Sequence, residues 1–428
     1  MYIDEPAAAV SDVLPEEDRP SAHRVRVNGR RVLVVTPQPF YEDRGTPIAV
    51  GLAARALSEL GYELDVLSFP FGRAPQLPRV RTIRCSNPLQ LRAVPIGFSW
   101  KKCLLDVSLV QSFEALLKRK KYHVIHAVEE AAYLASLFAG RVPFIYDMAS
   151  SIPEELARKP VLGSKAVQEI LTGIERSVLN RAAHVICSAG LGSYVARQTR
   201  DTPVTEWQFP GSLPPADAGR TEDLARNLDI GPKSKVVVYC GNFAEYQGMD
   251  LLFDAFASLA ATSRDCILLC VGATEREREA WLSRLGPSLS SQVRIVTRQR
   301  REHVSSFLAL ADCLVSLRPV NRNVPLKIFE YMSSGRPIVA TRGSAHEAVL
   351  SSERALLCDA TAQGVSTAIR YALRFPERAS RLGNAARAYA NRHFNWSAFV
   401  ALLDRVYGNV LRPDLRPLPA LSALRDMH

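Results

Sequence analysis

A chain of 428 residues exceeds the roughly 100–200 residues of one ordinary domain, so two domains are expected. Its 47% apolar and 23% charged residues describe a folded globular protein rather than a disordered one, and the lack of any run of ~20 apolar residues excludes a bilayer-spanning helix from the expectations. The formal net charge of +11 points to an anionic partner, yet aromatic residues are not interleaved with the basic ones as single-strand nucleic-acid binding requires, so no nucleic acid is expected.

Residues 1–28 are acidic and rich in Pro and Ala, without an apolar signal-peptide core, and read as a disordered leader of a cytoplasmic protein. An N-terminal domain, 29–208, opens with the buried strand "RRVLVVTPQPF", the loop "YEDRGTP" and the amphipathic helix "IAVGLAARALSELG", ended by Gly61. Strands "YELDVLSF", "HVIHAV", "PFIYDM" and "HVICSA" follow, with helical stretches between them. Between Phe71 and Lys121, eleven basic residues face only Asp106 and Glu114. Within that window "VPIGFSWKKCLL" sets Ile96, Phe98, Trp100, Leu104 and Leu105 beside Lys101 and Lys102, a mixture suited to an anionic membrane surface.

The Pro- and Gly-rich segment 209–234 reads as an interdomain linker. A second alternating series, 235–395, runs "KVVVYCG", "MDLLFDAFASLA", "DCILLCVG", "EREAWLSRLG", "QVRIVT", "EHVSSFLALA", "DCLVSL", "PLKIFEYMSSG" and "RPIVAT". Residues 396–428 hold a last helix, free to pack on either domain, and a loose tail. The eight cysteines sit mostly in apolar strand-like runs without a C-x-x-C pair, as expected of reduced thiols rather than of a metal site. Strand–helix alternation in both halves predicts two doubly wound parallel sheets, with ligands beyond the carboxyl ends of the strands.

The stretch "NRNVPLKIFEYMSSGRPIVATRGSAHE", from Asn321 to Glu347, carries the clearest chemistry. Pro325 suits a first helical turn, and the amides of Leu326 and Lys327 there attract a phosphate. Lys327 adds a full positive charge. Glu330 lies three residues on, on the same face, and accepts paired hydrogen bonds such as a ribose diol offers. A cation, free amides and a carboxylate together suit a nucleoside-diphosphate sugar.

These residues, with "VLVVTPQPF…RGTP" and "VVVYCGNFAEYQGMDLLFDAFASL", resemble family 4 glycosyltransferases, retaining enzymes of GT-B architecture with two Rossmann-like domains facing across a cleft. The resemblance implies a UDP- or GDP-sugar donor in the C-terminal domain, a glycan or lipid-linked acceptor in the N-terminal one, a role in envelope or exopolysaccharide synthesis, and no metal or other cofactor. It assigns the ribose to Glu330 and the diphosphate to Lys327, Leu326 and Pro325, with Asn323, Gly241, Asn242 and Gln247 beside them. The nucleobase falls near Arg298 and Gln299, and the sugar near His346 and Glu347.

Four departures stand out. Arg322 replaces a second glutamate of the family pattern. Asn242 and Gln247 replace two cations of the glycine loop, and Arg44, with Gly45 and Thr46, is the N-terminal group placed to supply one; pairing with Asp43 is its alternative. In "VIHAVEE", His126 is the base-like histidine, while Val128 stands where a second is usual. In "YDMASS", Ala149 likewise takes a position where a histidine is expected. Glu129, Glu130 and Asp147 are acceptor-side candidates; the two glutamates alternatively cap the next helix. A nucleotide-sugar 2-epimerase on the same fold and a degenerate, non-catalytic binding partner are the rival readings.

Overall fold

The computed structural model describes residues 29–88, 90–91, 100–157, 162–211, 213–318 and 323–411. The expected leader, Ile96, Phe98, Arg322 and the tail after Leu411 lie outside these residues, as do the side chains of Trp100 and Lys101. Among the described residues no helix is long and apolar enough to cross a membrane.

Seven parallel strands form the first sheet: β1 (Arg31–Pro39), β2 (Glu63–Phe69), β3 (Val80–Arg84), β4 (Val124–Val128), β5 (Phe144–Met148), β6 (His184–Cys187) and β7 (Val204–Glu206). Their order is β3-β2-β1-β4-β5-β6-β7. Six more form the second: β8 (Lys235–Cys240), β9 (Cys266–Ala273), β10 (Val293–Thr297), β11 (Cys313–Ser316), β12 (Ile338–Thr341) and β13 (Leu356–Cys358), in the order β10-β9-β8-β11-β12-β13. Each order reverses once, between β1 and β4 and between β8 and β11, and those crevices are where open α/β sheets bind ligands.

Both faces of the first sheet are covered, which is why its central strands are almost continuously apolar. Leu33, Val35, Ile125, Ala127 and Tyr146 face helices Trp100–Arg119, Ala131–Phe138 and Lys165–Arg181. On the other face Val32, Val34, Val124, Val128 and Ile145 meet helix Gly45–Glu59 and the last helix, Trp396–Leu411. The last helix has thus crossed back to the first domain. It buries Phe399, Val400, Leu402, Leu403, Val406 and Tyr407 there. At roughly 1.5–3 kcal/mol for each large apolar side chain, that face is ample to hold it.

The segment expected to be a linker is partly folded. Its helix Ala218–Asn227 packs on helix Val304–Ala309, and Leu213, Leu224, Leu228 and Ile230 join the core of the second domain. Where the chain passes between domains the two crossings touch: the Gly211 amide donates to the Phe394 carbonyl at 3.3 Å. A side chain at Gly211 would collide with Ser333 and with the carbonyl of Phe329, so only glycine lets the segments lie this close. Phe209 stacks on Trp207, lies tilted against Phe399 and meets Phe329 edge-on at 5.9 Å.

Candidate functional site

The helix Lys327–Ser334 begins one residue after Leu326, so Pro325 lies just ahead of the first turn and its carbonyl accepts from the Ile328 amide at 2.9 Å. Gly335, left-handed at φ +73, ends it. The helix end approaches the β8/β11 crevice. Lys327 is buried, and its Nζ has no hydrogen-bond partner. The ammonium sits 3.9 Å from the centre of the Tyr239 ring. Burial, and then the neighbouring Arg318, hold its pKa well below the ordinary lysine value.

The glycine loop wraps the same ammonium. A Cβ on Gly241 would lie 3.0 Å from Lys327 Nζ, and one on Gly272, at φ +117, would strike the Gly241 carbonyl. Gly241 therefore lets backbone approach the cation closely, and Gly272 lets the end of β9 lie against the Gly241 backbone. Asn242 serves its own loop: its Oδ1 accepts from the Ala244 amide and its carbonyl from the Tyr239 hydroxyl. Gln247 is buried, with Oε1 unpaired.

Glu330 shares this face and is met at 2.5 Å by Arg301, an ionic contact without hydrogen-bond alignment. Arg301 was not among the residues expected from sequence. A carboxylate has about four acceptor positions, so one guanidinium does not saturate it. Arg298 and Gln299 follow β10; the Arg298 amide donates to the Ala273 carbonyl at 2.9 Å, and the Gln299 side chain returns to the Thr297 carbonyl.

Across the crevice, Arg44 donates to Gln38 Oε1 at 2.8 Å and faces Glu42 at 3.1 Å. Asp43 is taken by Arg73, which removes the alternative pairing. Burial lowers the pKa of Arg44, and its electrostatic neighbours include Arg298 of the second domain and Glu129. Gly45 faces open space, and the Thr46 hydroxyl reaches Glu129 Oε1 at 3.5 Å. Glu129 follows β4 with a left-handed φ of +50, a strained conformation for glutamate and a frequent mark of functional positions. Burial, and then the adjacent Glu130, push its carboxyl up to about 8. Glu130 is ion-paired with Lys102, so this lysine points inward, and Leu105 is buried as well; neither faces a membrane.

Three expected site residues prove to be internal. His126 is not at the crevice: it lies within β4, 1% exposed, opposite Val34 and Ile145. Its Nε2–H donates to Asp147 at 3.2 Å, so Nδ1 accepts from the Tyr407 hydroxyl at 2.9 Å. Asp147 also accepts from the Trp207 indole at 2.6 Å. This quartet ties the last helix and the crossing segment to the sheet, and it corrects the base-like and acceptor-side assignments of His126 and Asp147. His346 is fully buried too, Nδ1 donating to the Thr341 carbonyl at 2.8 Å and Nε2 facing Ser316 Oγ at 3.1 Å; burial takes its pKa to about 4. Glu347 accepts from the Gly343 amide at 2.9 Å, which caps its own short helix.

The second cation near Lys327 is Arg318, which follows β11 and was also not expected. Its amide donates to Thr341 Oγ1 and its Nη1 to Asn323 Oδ1 at 2.9 Å. A lone arginine at the carboxyl end of the buried run "DCLVSL" is the signal that would have found it.

Residues 44–203 match the family described as "Glycosyl transferase 4-like domain", and residues 234–374 the one described as "Glycosyl transferases group 1". A D-inositol 3-phosphate glycosyltransferase of Corynebacterium urealyticum is 28% identical over 211 residues, 47% of this chain and 49% of that protein. The chain spans about half the length of the curated relatives it matches. Among solved structures, sucrose-phosphate synthase from Thermosynechococcus elongatus superposes with a TM-score of 0.73 at 19% identity, covering 90% of this chain and 100% of that one. Anabaena HepE in complex with UDP-glucose gives 0.69 at 16%, covering 89% and 99%. At such identities the superpositions speak for the fold.

Proposed function

We infer the function from one premise: the chain belongs to the family 4 type of glycosyltransferases, with GT-B architecture. It moves a glycosyl group from a nucleoside-diphosphate sugar to an acceptor hydroxyl, with retention at the anomeric carbon and without a metal ion. The observation that carries this reading is Lys327, a buried ammonium with no hydrogen-bond partner under the Gly241 loop, one helical turn from Glu330. Such a charge is costly until an anion meets it.

Glu330 holds the ribose diol, and Lys327 with the helix N-terminus holds the diphosphate. Arg44 meets the diphosphate from the facing domain. Glu129 orients the acceptor hydroxyl. As the bond from the anomeric carbon to the phosphate oxygen breaks, the acceptor oxygen attacks from the same face, and its proton passes to the leaving phosphate. Positioning and charge then carry the rate, and no strong base is demanded. A 2-epimerase would need acid and base groups around the sugar; His126 and His346 are both internal.

Calorimetry against UDP-, GDP- and ADP-sugars tests the donor. Glu330→Ala is expected to weaken the preferred donor by about 1.5–3 kcal/mol, the scale of hydrogen bonds to a charged group. Unchanged affinity would remove the ribose from Glu330.

The acceptor we propose is lipid-linked or membrane-proximal, within envelope or exopolysaccharide synthesis, with the protein cytoplasmic and peripheral. Support comes from one helical layer of the first domain. Leu104, Val107, Leu137, Phe138, Ile170 and Ile174 are six of the seven exposed large apolar side chains among the described residues, and all lie on the three helices of that layer. Exposed Lys118, Arg119, Arg141 and Lys165 accompany them. Sedimentation with anionic vesicles at low salt, lost with neutral vesicles or at high salt, is the expected result. Absence of binding to either would favour an acceptor free in solution.

A further inference from the structure

The sequence lacks the two loop cations that its family resemblance implies, yet the crevice is not short of positive charge. Arg318 is 7% exposed. Its guanidinium lies 4.9 Å from the centre of the Tyr246 ring, Nη1 is used by Asn323, and Nε has no hydrogen-bond partner. The groups that act on it electrostatically are Tyr246 and Tyr239, and among the described residues no carboxylate pairs with it. The undescribed neighbours 319–322, "PVNR", contain no acid. Arg318 in turn acts on Lys327, so the two cations share one buried space.

Arg318 and Lys327 are therefore two buried basic groups side by side, while the carboxylate one helical turn from Lys327, Glu330, is already engaged by Arg301. Neither Arg318 nor Lys327 has an ion-pair partner among the described residues. A buried charge without a counter-charge is strongly unfavourable, so the arrangement calls for a dianion. The diphosphate of a nucleotide sugar spreads its negative charge over two phosphates, one for each basic group, whereas a nucleoside monophosphate concentrates its charge on a single phosphate.

Resting on the donor reading above, we propose that Arg318 is a diphosphate-binding residue that replaces the missing cations of the glycine loop, delivering the charge from the end of β11 instead of the end of β8. Asn323 holds one arm of the guanidinium, and the Tyr246 face orients its plane. The remaining edge, with the free Nε, is presented beside Lys327 to phosphate oxygens, a planar donor set that suits them.

The test compares nucleoside diphosphate with monophosphate, using UDP/UMP, GDP/GMP and ADP/AMP by calorimetry on the full chain. For the base that binds, Arg318→Met is expected to lose about tenfold or more in diphosphate affinity, the scale of one charge-assisted hydrogen bond, with monophosphate affinity nearly unchanged. Gln247→Lys in that background is expected to recover part of the loss. Arg318→Lys, which keeps the charge without the planar fork, is expected to fall between, and it carries the same comparison if the methionine variant does not fold. Equal loss for both ligands, or no loss for either, would overturn the assignment of Arg318 while leaving the donor site in place. Failure of the unaltered protein to bind any of the diphosphates would overturn the donor reading itself, and this inference with it.

Discussion

Replacing Lys327 by methionine is expected to lower kcat/KM by about 10²–10³-fold, the range for loss of one preorganised group that stabilises developing charge. The same change is expected to raise the melting temperature. Methionine keeps the unbranched length and fills the space against Tyr239, but it removes an ammonium that has no hydrogen-bond partner and is held far below its ordinary pKa by burial. Burying such a group without a counter-charge is unfavourable in the empty site, whether it keeps its proton or gives it up, and bound diphosphate offsets that. Function and stability thus oppose each other at one atom. Initial rates with a donor, and thermal unfolding without one, measure the two effects. A destabilised variant, or one with wild-type turnover, would show that the lysine is a packing element.

Glu129→Gln is expected to reduce turnover about 10–10²-fold, the scale of one lost hydrogen bond between a charged group and the acceptor hydroxyl it orients, and to flatten the pH profile. In the unaltered protein the carboxyl is pushed up to about 8, first by burial and then by Glu130. The ionised form is the one that accepts the hydrogen of an acceptor hydroxyl, so kcat/KM should climb as pH rises through that value and then level. Stability runs the other way. A carboxyl whose folded pKa lies above its usual value of 4.5 favours the folded state fully below 4.5, and that contribution is lost as pH rises through about 8. The glutamine variant should therefore gain relative stability above pH 8. A wild-type slope in its rate profile would assign the ionisation to another group.

Both sheets were legible in the sequence because their central strands are unbroken apolar runs, and β1, β4, β5, β8, β9 and β11 fall where those runs predict. The edge strands β3, β7 and β13 were not: with partly exposed patterns and few residues, "VRTIR", "VTE" and "LLC" look like loop. Lys327 and Glu330 were found because helical spacing puts them on one face. Arg301 and Arg318 come from two different strand ends, and no spacing rule joins those to the helix. His126 departs from the position its motif implies. The strand period alone sets Val124, His126 and Val128 on one face, and that face is the one covered by the last helix. What covers it lies some 280 residues away in the chain, as the 281-residue separation of His126 and Tyr407 shows.

The return of the last helix to the first domain has a mechanical consequence. A single covalent tether would leave one domain free to swivel and tumble against the other. Here two tethers lie side by side, joined from the Gly211 amide to the Phe394 carbonyl and packed about Phe209. Two adjacent fixed points define a line, and rotation about that line is the soft motion that remains. Any opening and shutting of the crevice about that line would follow one arc and would return Arg44 to the same side of Lys327. Little orientational entropy is left for the substrates to quench when they draw the halves together.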